Sequence, residues 1–343
     1  MLKITPKKFT YFIGVDVSRN ELDYAVMRGK DLLFHREGLN KPAEILDFLK
    51  QLQALPGFTK TRSVFCMENS GIYCNHLVAA LRKLKFNIVL ENALKIKNSL
   101  GLLRGKSDKA DAIRIARYIY LSRDHLTLSN DRRPVIKQLA NLFALRNRLL
   151  NLQNALKTPL REQVSFVRKG IARESHRYCG RSLQAMQLDL QDIEFAIDEL
   201  IRSDENLSRL RKIITSVPHA GSIVAVQLIL STNEFQDIRH PKKFACYAGV
   251  APFIRESGNI KHRTRVSPIA NKKVKALLHL CAIGSIAHQG ELRTYYDRKV
   301  AEGKPKMSVL NALRNKIIFR IFSCVKEDRL YKKDHSGLRP EQV

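Results

Sequence analysis

The chain has 343 residues, and its 61 Lys and Arg against 32 Asp and Glu give a formal net charge of +29. Hydrophobic residues make up 44%, which excludes a disordered polycation, and the length allows about two domains. No run reaches the roughly 20 uncharged apolar residues of a membrane span, and no signal-peptide pattern opens the sequence. We therefore expect no membrane partner. The excess of positive charge favours a polyanion partner, nucleic acid, over a merely solvated basic surface.

The six cysteines are scattered along the chain without a CxxC pair, and no histidine cluster completes a zinc site. Unpaired cysteines are typical of a reducing compartment. Together with the basic charge, they predict a cytoplasmic protein associated with the nucleoid.

The first 131 residues show alternating short apolar runs and helical patterns. Three early strands followed by alternating helices and strands predict a mixed sheet with helices, an α/β domain over residues 1–131. In chain order, we expect strands at 11–18, 22–28 and 31–36, a helix from Pro42 to about Leu52, strands at 62–69 and 86–91, a helix between them at 72–84, and helical segments to about residue 121.

Beyond residue 132 the hydrophobic period changes, and two long helices with coiled-coil seams are predicted over 132–210. Either the two helices fold back on each other as a hairpin or they form an oligomerisation arm, and the sequence does not decide. Pro159 is expected to end the first helix. The seam residues are Val135, Leu142, Leu145, Leu149, Leu152 and Leu156 in the first helix and Leu183, Met186, Leu190, Ile193, Ile197 and Leu200 in the second.

Residues 211–343 predict a mostly helical domain with an interruption at about 249–270 that is rich in glycine and charge. The segment 216–230, SVPHAGSIVAVQLIL, predicts two helices joined by a tight turn. This turn is either an ordinary helical corner or a site that presents backbone N–H groups to DNA phosphates.

A strongly basic segment, residues 255–275, carries a single acidic residue and predicts contacts with phosphates. Its cations include Arg255, Lys261, Arg263, Arg265, Lys272 and Lys273. Ser257 and Gly258 lie among them. A serine surrounded by cations can attack a phosphate, although a Ser-Gly pair is far more often only a turn.

Four carboxylates are candidates for a metal site. Asp16 and Glu68 lie at or near the ends of apolar strands, and Asp108 and Asp111, three positions apart, share one helix face. Converging carboxylates of this kind hold one or two Mg²⁺ ions that clamp a phosphodiester. For Asp108 and Asp111 alone, a helix N-terminus capped by Ser107 is the simpler explanation. Asp16 is harder to dismiss, because Asp is depleted in strands.

Taken together, these segments resemble the DEDD transposases of the insertion sequence 110 family, which includes the Piv-type DNA invertases. The resemblance covers nearly the whole chain. The motifs that carry it are GVDVSRNELD with Asp16, FCMENSGIY with Glu68, GKSDKADAIRIARY with Asp108 and Asp111, SVPHAGSIVAVQLI, and FACYAGVAPFIRESGNIKHRTRVSPIANKKVKALLHLCA.

The resemblance implies an RNase H-like, RuvC-type N-terminal domain over 1–131, a coiled-coil arm over 132–210 and a helical transposase domain over 211–343. It implies Mg²⁺ held by the four carboxylates, and Ser257 as the nucleophile that joins a DNA strand as a phosphoserine. Strand exchange would pass through a Holliday junction. Donor and target DNA would be paired by a structured bridge RNA, and dimers would assemble to a tetramer whose sites can be shared between protomers.

The chain departs from the family pattern at two turns. The usual Pro-Gly-Ile-Gly is replaced by residues 218–221, PHAG, and the usual Ser-Lys-Arg-Gly-Asn by residues 267–271, SPIAN. Both changes affect nucleic-acid contacts and leave the candidate ligands and Ser257 untouched. Two rival interpretations are a junction nuclease that uses the same carboxylates with water as nucleophile, and a nucleic-acid-binding scaffold without catalysis.

Overall fold

The structure is a computed structural model that describes residues 9–68, 70–99, 107–257 and 260–332, with the backbone alone described at 255–257 and 260–264. The chain divides into two units, Met1–Asp131 and Arg132–Val343. Within the described residues, no helix combines the length and the apolar character needed to cross a membrane.

The first unit is built on a five-stranded mixed sheet with the strand order β3-β2-β1-β4-β5. Strand β1 pairs antiparallel with β2 and parallel with β4, β2 pairs antiparallel with β3, and β4 pairs parallel with β5. This mixed sheet with helices confirms the predicted class. The elements are β1 (Tyr11–Val17), β2 (Glu21–Arg28), β3 (Asp31–Leu39), α1 (Pro42–Gln53), β4 (Ser63–Glu68), α2 (Asn75–Lys83), β5 (Asn87–Glu91), α3 (Ala93–Ser99) and α4 (Asp108–Leu121), with 3-10 turns at Lys60–Arg62, Gly71–Cys74 and Arg123–His125.

Both faces of this sheet are buried, which explains why β1 and β4 read as nearly continuous apolar runs. Because side chains alternate along a strand, Ile13 and Val15 of β1 join the core formed with α1 and α2. Phe12 of β1 and Cys66 of β4 point to the opposite face and pack with Ala112 and Ala116 of α4. The sheet is therefore the middle layer of three.

Helix α4 approaches the backbone of β1 at Gly14. A Cβ atom built on Gly14 would lie 2.2 Å from the backbone nitrogen of Ala116 and 2.3 Å from the carbonyl oxygen of Ala112. These are backbone atoms that cannot rotate away, so only glycine permits this contact. The absence of one methyl group thus sets the depth at which α4 lies on the sheet.

We predict that Gly14→Ala destabilises the first unit by about 2–3 kcal/mol, because the helix must move off the strand. Gly38→Ala in β3 is the matched control, since its Cβ would meet only Tyr24 Cε2 at 4.0 Å. That change should leave stability within about 1 kcal/mol of the parent protein. Urea unfolding followed by circular dichroism measures both, and equal midpoints for the two variants would contradict the close approach.

The second unit is mostly helical and contains a two-stranded antiparallel hairpin, β6–β7, in the segment where the helical pattern was expected to break. Its largest core joins α7, α8, α10 and α12 with the beginning of α5 and the end of α6. The elements are α5 (Pro134–Phe166), α6 (Lys169–Ser203), α7 (Glu205–Ser216), α8 (Ser222–Thr232), α9 (Pro241–Tyr247), β6 (Pro252–Ser257), β7 (Ile260–Val266), α10 (Lys272–Ala287), α11 (Glu291–Ala301) and α12 (Lys306–Lys326).

Helices α5 and α6 pack against each other as an antiparallel hairpin. Arg146 Nε donates to Glu194 Oε1 at 2.7 Å, and Gln153 Nε2 donates to Gln187 Oε1 at 3.1 Å. Gln153 is buried, and a polar pair inside an apolar seam favours one register over its neighbours. The hairpin alternative left open by the sequence is therefore present within one chain.

The seam of α5 differs from the predicted one. Its buried side chains are Ile136, Leu139, Phe143, Gln153 and Leu160. Five of the six predicted heptad residues are half-buried and lie beside these buried side chains. The sixth, Leu152, is exposed. The predicted stripe of α6, by contrast, is buried or half-buried throughout.

The prediction that the first long helix ends at Pro159 is wrong, because α5 continues through Pro159 to Phe166. A proline inside a helix removes one backbone hydrogen bond and crowds the carbonyl oxygen four residues earlier. Leu160 follows directly and is buried in the hairpin. Packing of the turn after the proline therefore outweighs the local cost.

One arginine ties the base of this hairpin to the helical core. Arg133, which precedes α5, donates from Nη1 and Nη2 to the two carboxylate oxygens of Asp204 at 2.7 and 2.9 Å. Its Nε donates to Glu234 Oε2 at 2.9 Å, and the Glu234 side chain is 1% exposed. Asp204 also caps α7 by accepting from the Leu207 N–H. Because an unpaired buried carboxylate is costly, this contact fixes where α5 begins.

Candidate active site

Asp16 and Glu68 lie side by side at the carboxyl ends of two parallel strands. The register pairs Val15 with Met67, and the next residues along β1 and β4 are Asp16 and Glu68. Asp16 is two residues after Gly14 and therefore points to the same face of the sheet, the face covered by α4. Both carboxylates thus face the helix that carries the other two candidates.

Asp108 and Asp111 occupy the first turn of α4. The helix begins as the sequence suggested, with Ser107 Oγ accepting from the Ala110 N–H at 3.2 Å. Asp111 Oδ1 also accepts from Arg114 Nη1 at 2.6 Å. The capping role and the site role are compatible, because the capped turn is the part of α4 that lies nearest to Asp16.

The four carboxylates form one electrostatic cluster. Burial and then the negative charges of Asp111, Asp108 and Glu68, in that order of effect, raise the pKa of Asp16 to about 6. The pKa of Glu68 is also raised, first by burial and then by the charge of Asp111. The structure therefore places Glu68, Asp108 and Asp111 within electrostatic reach of Asp16.

The donor chemistry of this cluster fits a divalent cation, because clustered carboxylate oxygens are hard ligands with an uncompensated negative charge. Among the described residues, neither Asp16 nor Glu68 has a Lys, Arg or His partner. In the same parts of the chain, no three Asp, Glu, His or Cys side chains are assembled closely enough to hold a metal ion as they stand. The coordination sphere is thus not preassembled, and Mg²⁺ stays a prediction.

The pairing register also reveals carboxylates that the sequence did not. Asp16 is paired with Asp23, Asp23 with Glu37, and Glu68 with Glu91, so each of the five strands contributes one carboxylate to a single row across the sheet. No sequence signal marks this row, because pairing between distant strands has no local pattern.

The two members of the row that flank the central pair, Asp23 and Glu91, have hydrogen-bonding partners in the protein. His35 Nε2 lies 2.7 Å from Asp23 Oδ1. Glu91 Oε2 accepts from Lys95 Nζ at 2.6 Å and from the Tyr118 hydroxyl at 2.7 Å, and these bonds contribute to the lowered pKa of Glu91. Glu37, at the edge of the sheet, is exposed, so the central pair of Asp16 and Glu68 is the part of the row that faces α4 and is left for a ligand.

The predicted phosphate-contacting segment begins with the β6–β7 hairpin of the second unit. Ser257 is the last residue of β6 and pairs with Ile260, the first residue of β7. Residues 258–259, and the side chains of Arg255, Ser257, Lys261 and Arg263, lie outside the described part of the structure. Arg265 is described and is exposed.

The segment between the β6–β7 hairpin and α10 is held by close contacts, and two exposed lysines follow it. Asn271 caps α10 by accepting from the Val274 N–H, and its own Nδ2 donates to the Tyr247 hydroxyl at 2.7 Å. Gly249, with φ +65°, lies against Ala270 so closely that a Cβ would be 2.2 Å away. Lys272 and Lys273 follow the cap and are exposed. These two cations are accordingly held in place on a fixed helix end.

The turn between α7 and α8 has the helix–turn–helix form predicted from the sequence. His219, at the position where the family pattern has glycine, adopts φ +69°. Its ring lies 5.6 Å from that of His288, and burial followed by the His288 charge lowers the pKa of His219. Whether this turn contacts phosphates stays a prediction.

Comparison with known families assigns the chain. A model described as "Transposase", for the DEDD domain of insertion sequence 110 elements, matches residues 13–168, and the model "Transposase IS116/IS110/IS902 family" matches residues 211–297. The chain belongs to the insertion sequence 110 family of transposases. The match to the DEDD model covers the mixed sheet of the first unit and continues into α5 to residue 168, and the RNase H-like fold of a DEDD domain agrees with that sheet. Membership makes this transposase a DNA-cutting enzyme, and DEDD domains generally use a divalent metal.

Several known proteins are similar to this transposase. The pilin gene-inverting protein of Moraxella bovis is 23% identical over 329 residues, which cover 94% of this chain and 98% of the relative. The 43.6 kDa protein of insertion element IS110 from Streptomyces coelicolor is 26% identical over 151 residues, 44% of this chain and 36% of that protein. The structure of T. thermophilus RuvC in complex with Holliday junction substrate aligns with a TM-score of 0.27 at 12% identity, over 35% of this chain and 99% of RuvC.

The raised pKa of Asp16 predicts that its ionisation lowers the free energy of unfolding of the metal-free protein, and that this loss depends on pH. With a folded pKa of about 6 against 3.8 when unfolded, the native state holds its proton more tightly, so stability is lost as the pH rises through 6. Asp16→Asn should therefore match the parent protein at pH 4 and be more stable at pH 7, by about 1–2 kcal/mol after allowing for solvent screening.

Thermal unfolding in EDTA at pH 4 and pH 7 measures this difference. Added Mg²⁺ should then raise the melting temperature of the parent protein and leave Asp16→Asn nearly unchanged. A variant that is less stable than the parent at pH 7 in EDTA would contradict the electrostatic cluster.

Proposed function

We propose that this transposase is a Mg²⁺-dependent, RNA-guided DNA recombinase that cuts and rejoins strands through a phosphoserine at Ser257. The observation that carries the proposal is the placement of Asp16 and Glu68 at adjacent strand ends facing α4, where burial and the charges of Asp111, Asp108 and Glu68 raise the pKa of Asp16, in a chain of net charge +29. A strongly basic protein that keeps four carboxylates together fits a role in phosphoryl transfer on nucleic acid.

In this proposal the four carboxylates hold Mg²⁺, which when bound supplies positive charge at the scissile phosphate. The Ser257 hydroxyl attacks that phosphate as its proton is removed, and an Oγ–P bond forms. The P–O bond to one deoxyribose breaks, and the released strand end takes up a proton as a free hydroxyl. Attack by a hydroxyl of another strand reverses the step, so rejoining conserves the phosphodiester energy and needs no nucleotide cofactor.

The basic residues of the second unit hold the nucleic acid in this proposal. They are Arg255, Lys261, Arg263, Arg265, Lys272 and Lys273. Exposed Lys272 and Lys273 on the capped end of α10 support this assignment, because a fixed helix end presents both charges and N–H groups to phosphates. The net charge of +29 further supports an assembly in which donor DNA, target DNA and a bridge RNA lie close together. Its place would be the cytoplasm, on the nucleoid.

We further propose that the α5–α6 hairpin assembles the protein into dimers and then a tetramer. The hairpin leaves Leu152, Leu188 and Phe195 exposed, at 52, 55 and 66%. Leu188 and Phe195 are seven residues apart and share one face of α6, as in a coiled-coil seam. This unpaired apolar stripe supports association between copies through the arm.

Likeness over almost the full length to a pilin gene-inverting protein supports recombination over plain cleavage, because inversion of a DNA segment requires the strands to be rejoined. A nuclease that uses the same carboxylates with water would release free ends and leave Ser257 idle. A scaffold without catalysis would leave the DNA intact.

Ser257→Ala is predicted to bind nucleic acid normally but to form no covalent protein–DNA adduct, because the attacking hydroxyl is gone. Protein, guide RNA, labelled DNA and Mg²⁺ are incubated and denatured, and the adduct is resolved on a gel. Ser267→Ala, in the same basic segment, is the matched control and should retain the adduct. Persistence of the adduct in Ser257→Ala would exclude Ser257 as nucleophile, and free cut ends would favour the nuclease.

Mixing Ser257→Ala with Asp16→Asn tests whether one site draws on two protomers. Shared sites should recover part of the adduct, since some sites then receive an intact Ser257 and an intact Asp16. Sites confined to one chain should leave the mixture as inactive as either variant alone.

Replacing Arg263 and Arg265 together by Ala should weaken binding uniformly across DNA sequences. The slope of log K against log salt should fall by about one to two if both cations neutralise phosphates. Fluorescence anisotropy at several salt concentrations measures this slope, and an unchanged value would remove both residues from the interface.

A further inference from the structure

Glu91 has a hydrogen-bonding pattern that sets it apart within the row of carboxylates. Its Oε2 accepts from the Tyr118 hydroxyl at 2.7 Å and from Lys95 Nζ at 2.6 Å, and its Oε1 accepts from the Asn92 N–H at 3.1 Å. Both oxygens are therefore engaged by the protein, although Glu91 is paired with Glu68 across the parallel strands. Glu91 thus lies next to the cluster without being available as a ligand.

Tyr118 connects this carboxylate to the helix of the site. It lies on α4, seven residues after Asp111, which places it two turns along on the same face and about 10 Å away. The side chain is buried, with 2% exposure. The hydrogen bond therefore joins α4 to β5 at the strand end beside Glu68.

The contact of α4 with β1 is close packing. At Gly14 the backbone of α4 at Ala112 and Ala116 lies on the strand, and the Tyr120 ring packs edge-on against Phe12. The first turn of α4 also brings the charges of Asp108 and Asp111 close to Asp16, and this repulsion opposes the packing. A directional bond to a charged acceptor resists both sliding and rotation of the helix.

We propose that Glu91 and Tyr118 form a latch that positions α4, and with it Asp108 and Asp111, against Asp16 and Glu68. Glu91 and Tyr118 are positioning residues in this inference and do not touch the metal. The inference rests on the proposed function, since it assigns these two residues to the assembly of the same carboxylate site.

Mn²⁺ binding to the full-length protein tests the latch by calorimetry, without any need for cleavage. Tyr118→Phe keeps the buried ring and removes only the hydroxyl, and it should weaken Mn²⁺ affinity about three- to tenfold. Glu91→Gln keeps an acceptor oxygen for Tyr118 but removes its charge, and it should weaken Mn²⁺ affinity less than Tyr118→Phe does. Tyr120→Phe is the matched control, because its ring packs on Phe12 at 5.3 Å and its hydroxyl has no partner among the described residues.

Two results would overturn the latch. Parental Mn²⁺ affinity in Tyr118→Phe would show that the hydroxyl positions nothing. A larger loss in Glu91→Gln than in Tyr118→Phe would make Glu91 a metal ligand instead of a positioning residue.

Hydrogen exchange in metal-free protein separates the latch from the proposed function. The amides of residues 110–115 should exchange faster in Tyr118→Phe than in Tyr120→Phe, whatever the protein does with metal. If the parent and Asp16→Asn bind Mn²⁺ equally, the proposed metal site fails. In that case the exchange rates still test the latch, independently of metal binding. Equal rates in the two tyrosine variants would reject it.

Discussion

The contact of α4 with the backbone of β1 at Gly14 is the constraint on which the first unit depends. A helix can lie this close to a strand only where the strand has no side chain, and Ala112 and Ala116 supply the matching small surface. The same contact brings the capped first turn of α4 toward Asp16. The packing of α4 on β1 therefore offsets the repulsion among carboxylates that it brings close together. A domain built only for stability would avoid this repulsion.

Positive and negative charges are unevenly distributed in this transposase, both along the whole chain and within the sheet of the first unit. The chain as a whole is strongly basic, yet one end of its sheet gathers a row of carboxylates. Within the row, Asp23 and Glu91 have hydrogen-bonding partners in the protein, whereas burial and then the charge of Asp111 raise the pKa values of Asp16 and Glu68. This arrangement leaves the strongest attraction for a cation at the centre, where the candidate ligands Asp16 and Glu68 lie.

Much of this could be predicted from the sequence, because the relevant signals are local. Short apolar runs, with alternation in the second, located the five strands, and the carboxylates that interrupt apolar runs or follow Ser107 pointed to the site. The row that includes Glu91 could not be predicted, since register between strands depends on tertiary pairing. A buried tyrosine such as Tyr118 is likewise indistinguishable in sequence from any core aromatic residue. The role of Ser257 stays a prediction that rests on the family resemblance.

The errors in the second unit also have one physical cause. Pro159 was expected to end a helix, and the seam of α5 was expected one stripe away from where it lies. Both expectations rested on local sequence preferences, for helix termination at proline and for a heptad pattern. Contact with α6 instead decides which side chains of α5 are buried and whether a proline is tolerated. The three partners Arg133, Asp204 and Glu234 are 71 and 101 positions apart, a separation at which sequence pattern carries no information.

Because α5 continues without a break through Pro159, the α5–α6 hairpin moves as one rigid lever. Thirty-three residues rise about 50 Å, so a tilt of 5° at the base displaces the far end by about 4 Å. Arg133 and its two carboxylates hold that base, and Glu234 lies in a run of three left-handed residues at the end of α8. Small repacking of the helical core around this pivot is thus magnified at the tip, where an interrupted helix would have absorbed it.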